Sequence, residues 1–235
     1  MSLKNWDNKT WLSSKRYIKT FNNFLLKRIN LNKNSQILDI GCGRGKILGS
    51  LFSKLRLKNK PVGIDIEIHK DRDKRIDFQK NDVIKYLKKN KKKFDLILIK
   101  QTIHLLKFQQ IKKLLLLCNG ALNPKGKIMI FTLETFNNEI PTFLLMKKKL
   151  RKSLIRDKKI IQYISKLHTK NSIKKFSFKV TITKKKYIKM IENRYISTLL
   201  NFKLKEISHG INEIKSKYSR TIHFDDKLIC LILNK

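Results

Sequence analysis

The sequence predicts an α/β fold, a mostly parallel sheet with helices on both faces. Three observations carry this expectation. Short apolar runs rich in β-branched residues recur at 36–40, 62–66, 94–99 and 127–133, and their length suits buried parallel strands. Helically spaced apolar residues fill the gaps at about 45–57, 81–91 and 107–120. Strands alternating with helices build βαβ units, which give a parallel sheet.

The remaining elements follow in order. An N-terminal helical arm is expected over 11–30, where Leu12, Tyr17, Phe21, Phe24, Leu25 and Ile29 fall near helical spacing. Beyond Glu134 the rhythm changes. Residues 139–168 read as a cationic helix, 176–183 as a strand, 184–216 as two or three helices, and 221–233 as a last strand. No internal repeat or low-complexity linker divides the chain. A single domain over 1–235 is expected, with an arm at 1–34, a core at 35–134, and further strands with a helical cap at 135–235.

Composition narrows the function. With 235 residues, 41% of them hydrophobic, the chain can bury a sizeable core. No apolar run approaches the roughly 20 residues of a membrane span. The opening Met1-Ser2-Leu3-Lys4-Asn5-Trp6 has no signal-peptide core, so a cytoplasmic location is expected. Cys42, Cys118 and Cys230 lack metal or disulfide spacing; they are expected to be reduced and structural, with no metal site.

The net charge of +39 invites a nucleic-acid or anionic-membrane reading. However, the chain holds 46 lysines, ten arginines and one alanine, a profile that codon bias toward A+T also produces. The charge is spread along the chain. The runs Lys91-Lys92-Lys93, Lys147-Lys148-Lys149 and Lys184-Lys185-Lys186 read as solvated loops or helix ends.

The chemistry concentrates in Ile37-Leu38-Asp39-Ile40-Gly41-Cys42-Gly43-Arg44-Gly45, a strand entering a helix. Glycines let the backbone turn sharply and approach a ligand, and the helix start offers free N–H groups. This segment resembles the first motif of the class I S-adenosylmethionine-dependent methyltransferases, an acidic residue followed by Gly-x-Gly-x-Gly. The competing dinucleotide fingerprint is spaced Gly-x-Gly-x-x-Gly. Asp65 ends the next apolar run, where a carboxylate can accept both hydroxyls of a ribose; nicotinamide enzymes use the same geometry, so Asp65 alone does not choose the cofactor. Asn81-Asp82-Val83 resembles the family's adenine-contacting loop, although Asp82 is also placed as a helix N-cap. Residues 94–99 and 122–130 resemble the family's fourth strand and its turn into the fifth, with Gly126 where positive φ would be needed. Residues 181–196 and 222–232 resemble the later region of small members of the group.

The resemblance implies a Rossmann-like sheet of seven strands, mostly parallel, with an antiparallel last strand and a helical insert before it. It implies S-adenosylmethionine as cofactor, held by Asp39, Gly41, Cys42, Gly43, Gly45, Asp65, Ile66, Asp82, Val83 and Lys100. The family's methyl donor is already activated, so alignment matters most and a base is optional. His104, just past the fourth strand, is the candidate base, with packing under the cofactor as the alternative. The Asp/Asn-Pro-Pro-aromatic run of amino-methylating nucleic-acid enzymes is replaced by Lys100-Gln101-Thr102. Cys118 is misplaced for a cytosine-5 nucleophile, and Lys100 stands where ribose 2′-O enzymes carry aspartate. A small-molecule or lipid-like acceptor is therefore expected. An RNA methyltransferase and a non-catalytic cofactor binder remain as alternatives.

Two segments are candidates for acceptor binding. Trp6, Trp11 and Tyr17 either fold over the cofactor mouth as a lid or pack on the sheet. Tyr187, Arg194 and Tyr195 would line one helix of the insert, with Arg194 gripping an anionic group of the acceptor or serving in an ion pair.

Overall fold

The computed structural model describes residues 10–235. Trp6 lies outside the described residues. Seven strands run β1 (Ile37–Ile40), β2 (Val62–Asp65), β3 (Asp77–Lys80), β4 (Phe94–Lys100), β5 (Leu122–Leu133), β6 (Asn171–Thr183) and β7 (Thr221–Asn234). They join into one sheet of order β3-β2-β1-β4-β5-β7-β6. All pairs from β3 to β5 are parallel, and β7 runs antiparallel to both β5 and β6. The seven-stranded Rossmann-like sheet and its antiparallel last strand are therefore present as expected. The order reverses at β1 and β4, and an open α/β sheet opens a crevice beyond the strand ends at such a point.

The helices are α1 (Lys15–Leu26), α2 (Lys46–Leu55), α3 (Val83–Lys89), α4 (Phe108–Gly120), α5 (Leu144–Leu167), α6 (Lys184–Glu192) and α7 (Leu204–Lys217). Side chains alternate across a strand, and β4 divides accordingly. Leu96 and Leu98 join a core with α1, α2, α6 and α7, whereas Ile97 and Ile99 join a second core with α3, α4 and the C-terminal half of α5. Helices thus cover both faces. Helix α1 buries Tyr17, Phe21 and Leu25 completely. Phe21 lies 4.7 Å, ring centre to ring centre, from Phe131, and Tyr17 lies 5.1 Å from Phe178.

Three expectations need correction. Strand β3 escapes the apolar-run reading because it is the edge strand Asp-Phe-Gln-Lys, only partly buried. Strand β5 begins at Leu122, so Gly126 lies within a strand, and it is absent from the glycines with positive φ. Its requirement is close approach: an added Cβ would stand 2.7 Å from the Phe94 carbonyl oxygen, beside the register shift between Phe94 and Leu96. Helix α6 ends at Glu192, and Arg194 takes φ +52°. Tyr187 and Arg194 therefore do not share a helical face.

Candidate active site

The residues between β1 and α2 set the site. Gly41, Gly43 and Gly45 all have positive φ. At Gly41 the demand is double, because an added Cβ would also stand 2.1 Å from Thr102 Oγ1. The amides of Gly41 and Cys42 donate to the Ile64 carbonyl at 2.8 and 3.1 Å, which ties the turn to the end of β2. Asp65 then accepts from the Gly43 amide at 2.8 Å and the Glu67 amide at 3.0 Å, one on each carboxylate oxygen. Buried Arg44 pairs with Asp71 at 2.7 Å, and Asp73 N–H donates to the Arg44 carbonyl at 2.8 Å. The loop after β2 is thereby pinned to the glycine turn.

A cavity of about 260 Å³ opens beyond these strand ends. Asp39, Gly41, Cys42, Gly43, Gly45, Asp65, Ile66, Asp82, Val83 and Lys100, the expected cofactor residues, all line it. Asp82 also caps α3, its Oδ1 accepting from the Lys85 amide at 2.9 Å. Exposed Ile66 and Leu105 supply apolar flanks.

Asp39 is the electrostatic centre of this cavity. Burial pushes its carboxyl up to about 7, opposed by the Lys100 ammonium and reinforced by Asp65. Its Oδ1 is buried with no hydrogen-bond partner among the described residues. Lys100 ends β4 with its ammonium 5.4 Å from the Tyr17 ring centre. Burial raises the Cys42 thiol well above its ordinary range, so it stays protonated.

A second cavity of about 40 Å³ adjoins the first, and Leu12 and Gln101 line both. Gln101 takes φ +52° and its amide donates to the Phe131 carbonyl at 2.8 Å. A left-handed backbone at a non-glycine residue costs about 1–3 kcal/mol and is often found where function holds it. The second cavity is walled by Trp11, His104, Leu133, Leu150, Asp157, Tyr195, Thr198 and Asp226, among others. Trp11 Nε1 donates to Asp226 Oδ2 at 2.9 Å. Burial pushes His104 down to about 4, with Arg156 adding to the effect, so its imidazole is neutral at pH 7.

The expected acceptor residues divide. Trp11 and Tyr195 line the second cavity, and His104 joins them. Tyr17 and Tyr187 are fully buried and line neither cavity; the Tyr187 hydroxyl is spent on the Pro141 carbonyl at 2.5 Å and on Tyr195 at 2.8 Å. Arg194 also lines neither cavity, and its guanidinium donates to the carbonyls of Leu199 and Leu200. That tethers a turn after α6 and takes the place of the anionic anchor expected from sequence. Of the two alternatives for the arm, α1 packs on the sheet, and Trp11, Leu12 and Ser13 border the cavities. Gln101, Asp157 and Asp226 were not singled out by the sequence; an acid on a lysine-rich helix and one on a β-strand carry no motif.

Residues 31–194 match the family model described as a methyltransferase domain. Among solved structures, a protein of an antibiotic biosynthesis pathway from Anabaena variabilis, described as a methyltransferase, is similar at 15% identity, with 91% of this chain and 96% of that chain covered and a TM-score of 0.65. A SAM dependent methyltransferase from Archaeoglobus fulgidus matches at 20% identity over 93% and 94% of the two chains, with a TM-score of 0.53. The plantazolicin methyltransferase BpumL, solved in complex with SAH and a desmethylPZN analog, matches at 18% identity over 98% of this chain and 88% of that one, with a TM-score of 0.54. No curated protein sequence matches the chain. At these identities the solved structures speak for the fold, while the family model spans most of the chain: the chain belongs to the methyltransferase-domain family.

Proposed function

We propose that the protein transfers the methyl group of S-adenosylmethionine to a small-molecule or lipid-like acceptor. The observation that carries this reading is the pair of cavities meeting at Leu12 and Gln101. One is walled by the glycine turn and four acids, Asp39, Asp65, Glu67 and Asp82, and the other is small and mostly apolar. The residues fit the cofactor. Asp65, already held by two amides, keeps lone pairs for ribose hydroxyls, and Asp82 with Val83 suits the adenine edge. The unpartnered Asp39 Oδ1 suits the amino acid's ammonium. When bound, the cofactor supplies a methyl group already activated by its sulfonium.

The chain's own residues then bind, orient and exclude water. The turn carrying Trp11 and Leu12 closes the side of both cavities. His104 faces the acceptor as a neutral imidazole, and a group pushed to about 4 is a weak proton acceptor at pH 7. Its role is to orient a polar hydrogen of the acceptor. No helix among the described residues is long and apolar enough to cross a membrane.

Two measurements test the reading. Methyl label from the cofactor, followed into a fractionated cell extract, should appear among small molecules or lipids; label in RNA or protein alone would overturn the acceptor class. Asp65→Ala should weaken S-adenosylmethionine binding by about 2–4 kcal/mol, because two charge-assisted bonds are lost. Unchanged affinity by calorimetry would remove Asp65 from the site.

A further inference from the structure

The charge of the acceptor cavity is opposite to that of the chain. Of the 17 acidic residues in a protein of net charge +39, three that are buried, Asp39, Asp157 and Asp226, border the two cavities. Asp39 belongs to the cofactor side, and Asp226 is engaged by the Trp11 indole. Asp157 is different. It sits on α5 one turn past Ser153 and two past Leu150, so the three form one stripe along the second cavity. Only 5% of its surface is exposed.

No hydrogen bond or ion pair reaches Asp157 among the described residues. The neighbouring Arg156 makes no ion pair with it: its guanidinium is spent on the carbonyls of His104 and Leu106, and its charge only partly offsets the burial of Asp157. His104, across the same cavity, carries no charge at pH 7. A carboxylate removed from water without a partner is costly, and such groups persist where something pairs with them. The fold offers Asp157 only the through-space charge of Arg156 and no hydrogen bond or ion pair among the described residues, yet places it at a cavity.

We infer that Asp157 grips a cationic nitrogen, a primary or secondary ammonium at the end of the acceptor. This deepens the proposed function and rests on it. The size of the cavity sets the shape of the group. About 40 Å³ holds a few water-sized groups at most, so an aminoalkyl terminus enters while the body of the molecule stays at the mouth. Leu133, Ile140, Leu150 and Ile196 provide the apolar walls for its methylenes. The carboxylate and the hydroxyl of Ser153 provide the polar end. The expectation of an anionic acceptor held by Arg194 is thereby reversed in sign.

Three probes with one body and different ends separate the outcomes: 2-phenylethylamine, 2-phenylethanol and phenylacetate. Each is titrated by calorimetry into the full-length protein saturated with S-adenosylhomocysteine, for wild type and Asp157→Asn. The amide keeps size and polarity and removes the charge. The amine should bind wild type at least tenfold more tightly than the alcohol or the acid, and Asp157→Asn should lose that preference while keeping its melting temperature within a few degrees. Equal binding of amine and alcohol, tighter binding of the acid, an amine affinity unchanged in Asp157→Asn, or no binding of any probe would overturn the assignment. Cofactor affinity of Asp157→Asn is measured alongside. If neither protein binds the cofactor, the proposed function itself fails; if both bind it equally and the amine preference is missing, only the assignment of Asp157 fails.

Discussion

The two cavities are built by different means. The cofactor cavity is drawn chiefly from the ends of β1, β2, β3 and β4, within residues 39–106, with Leu12 and Ser13 added from the arm. Its shape is a property of the main chain: positive-φ glycines, a register shared between parallel strands, and amides aimed at Asp65. The second cavity, the proposed acceptor cavity, gathers side chains from the arm, the ends of β4 and β5, α5, the turn after α6 and β7. Trp11 and Asp226, which close it, are 215 positions apart. A wall made of backbone tolerates few substitutions, whereas a wall made of side chains on separate elements can be rewritten without disturbing the sheet. Under the proposed function, the fold would thus hold one ligand fixed and leave the other free to vary.

The sharpest way to break this contrast is at Gly41. Alanine there would require a left-handed backbone, at about 1–2 kcal/mol, and would drive a methyl group into Thr102, at about 1–3 kcal/mol more. Gly41→Ala should destabilise the fold by about 2–5 kcal/mol and reduce cofactor affinity more than a hundredfold. Denaturant unfolding and calorimetry read the two effects. Near-normal values for both would show that the turn is not the rigid part of the site.

A smaller effect is expected on the other side. Trp11→Phe leaves an aromatic ring, smaller than the indole that packs at 5.1 Å on Phe224, and removes the N–H that Asp226 accepts. Burial already raises the Asp226 carboxyl, and the indole opposes that rise. The variant should lose about 1–3 kcal/mol while cofactor affinity changes by less than about 0.5 kcal/mol. Because an acid raised in the folded state contributes stability at low pH that is lost as pH rises, the deficit should grow from acidic toward neutral pH. A loss independent of pH would mean that packing, and not the bond to Asp226, is what Trp11 supplies.

These differences explain what the sequence could tell. Asp39, the glycines, Asp65 and Asp82 all fall within residues 39–82 on successive strand ends, so one continuous stretch of sequence contains their spatial relation. Strand β3 was hidden because an edge strand with partly buried residues shows no apolar run. Arg194 misled for a related reason. Its scarcity among lysines marked a need for a planar fork, but that need is met by two backbone carbonyls. Asp157 was invisible because its meaning depends on Arg156 being spent on backbone carbonyls and on a cavity formed by residues from the whole length of the chain. Spacing along the sequence records neither.

The smallest effect tests the cofactor side from its electrostatics alone. In the free protein burial holds the Asp39 carboxyl at about 7, so at pH 7 about half of the molecules carry a proton there. An ammonium placed against the unpartnered Oδ1 favours the ionised form and lowers that value. Binding of S-adenosylmethionine near pH 7 should then release a fraction of a proton. The release appears as a dependence of the calorimetric enthalpy on the ionisation enthalpy of the buffer, and it should vanish in Asp39→Asn. The sign for stability follows from the same shift. The contribution of Asp39 is fully present below the ordinary carboxyl range and is lost as pH rises through about 7, so the free protein should weaken over that interval. The cofactor-bound protein should weaken less. His104, lowered from its ordinary value to about 4, gives the opposite trend over an overlapping interval, losing stability as pH falls from about 6.5 through about 4, so the part due to Asp39 is read as the difference between wild type and Asp39→Asn. Proton uptake on binding, or no exchange at all, would place the ammonium away from Asp39 and leave its buried oxygen without a ligand to explain it.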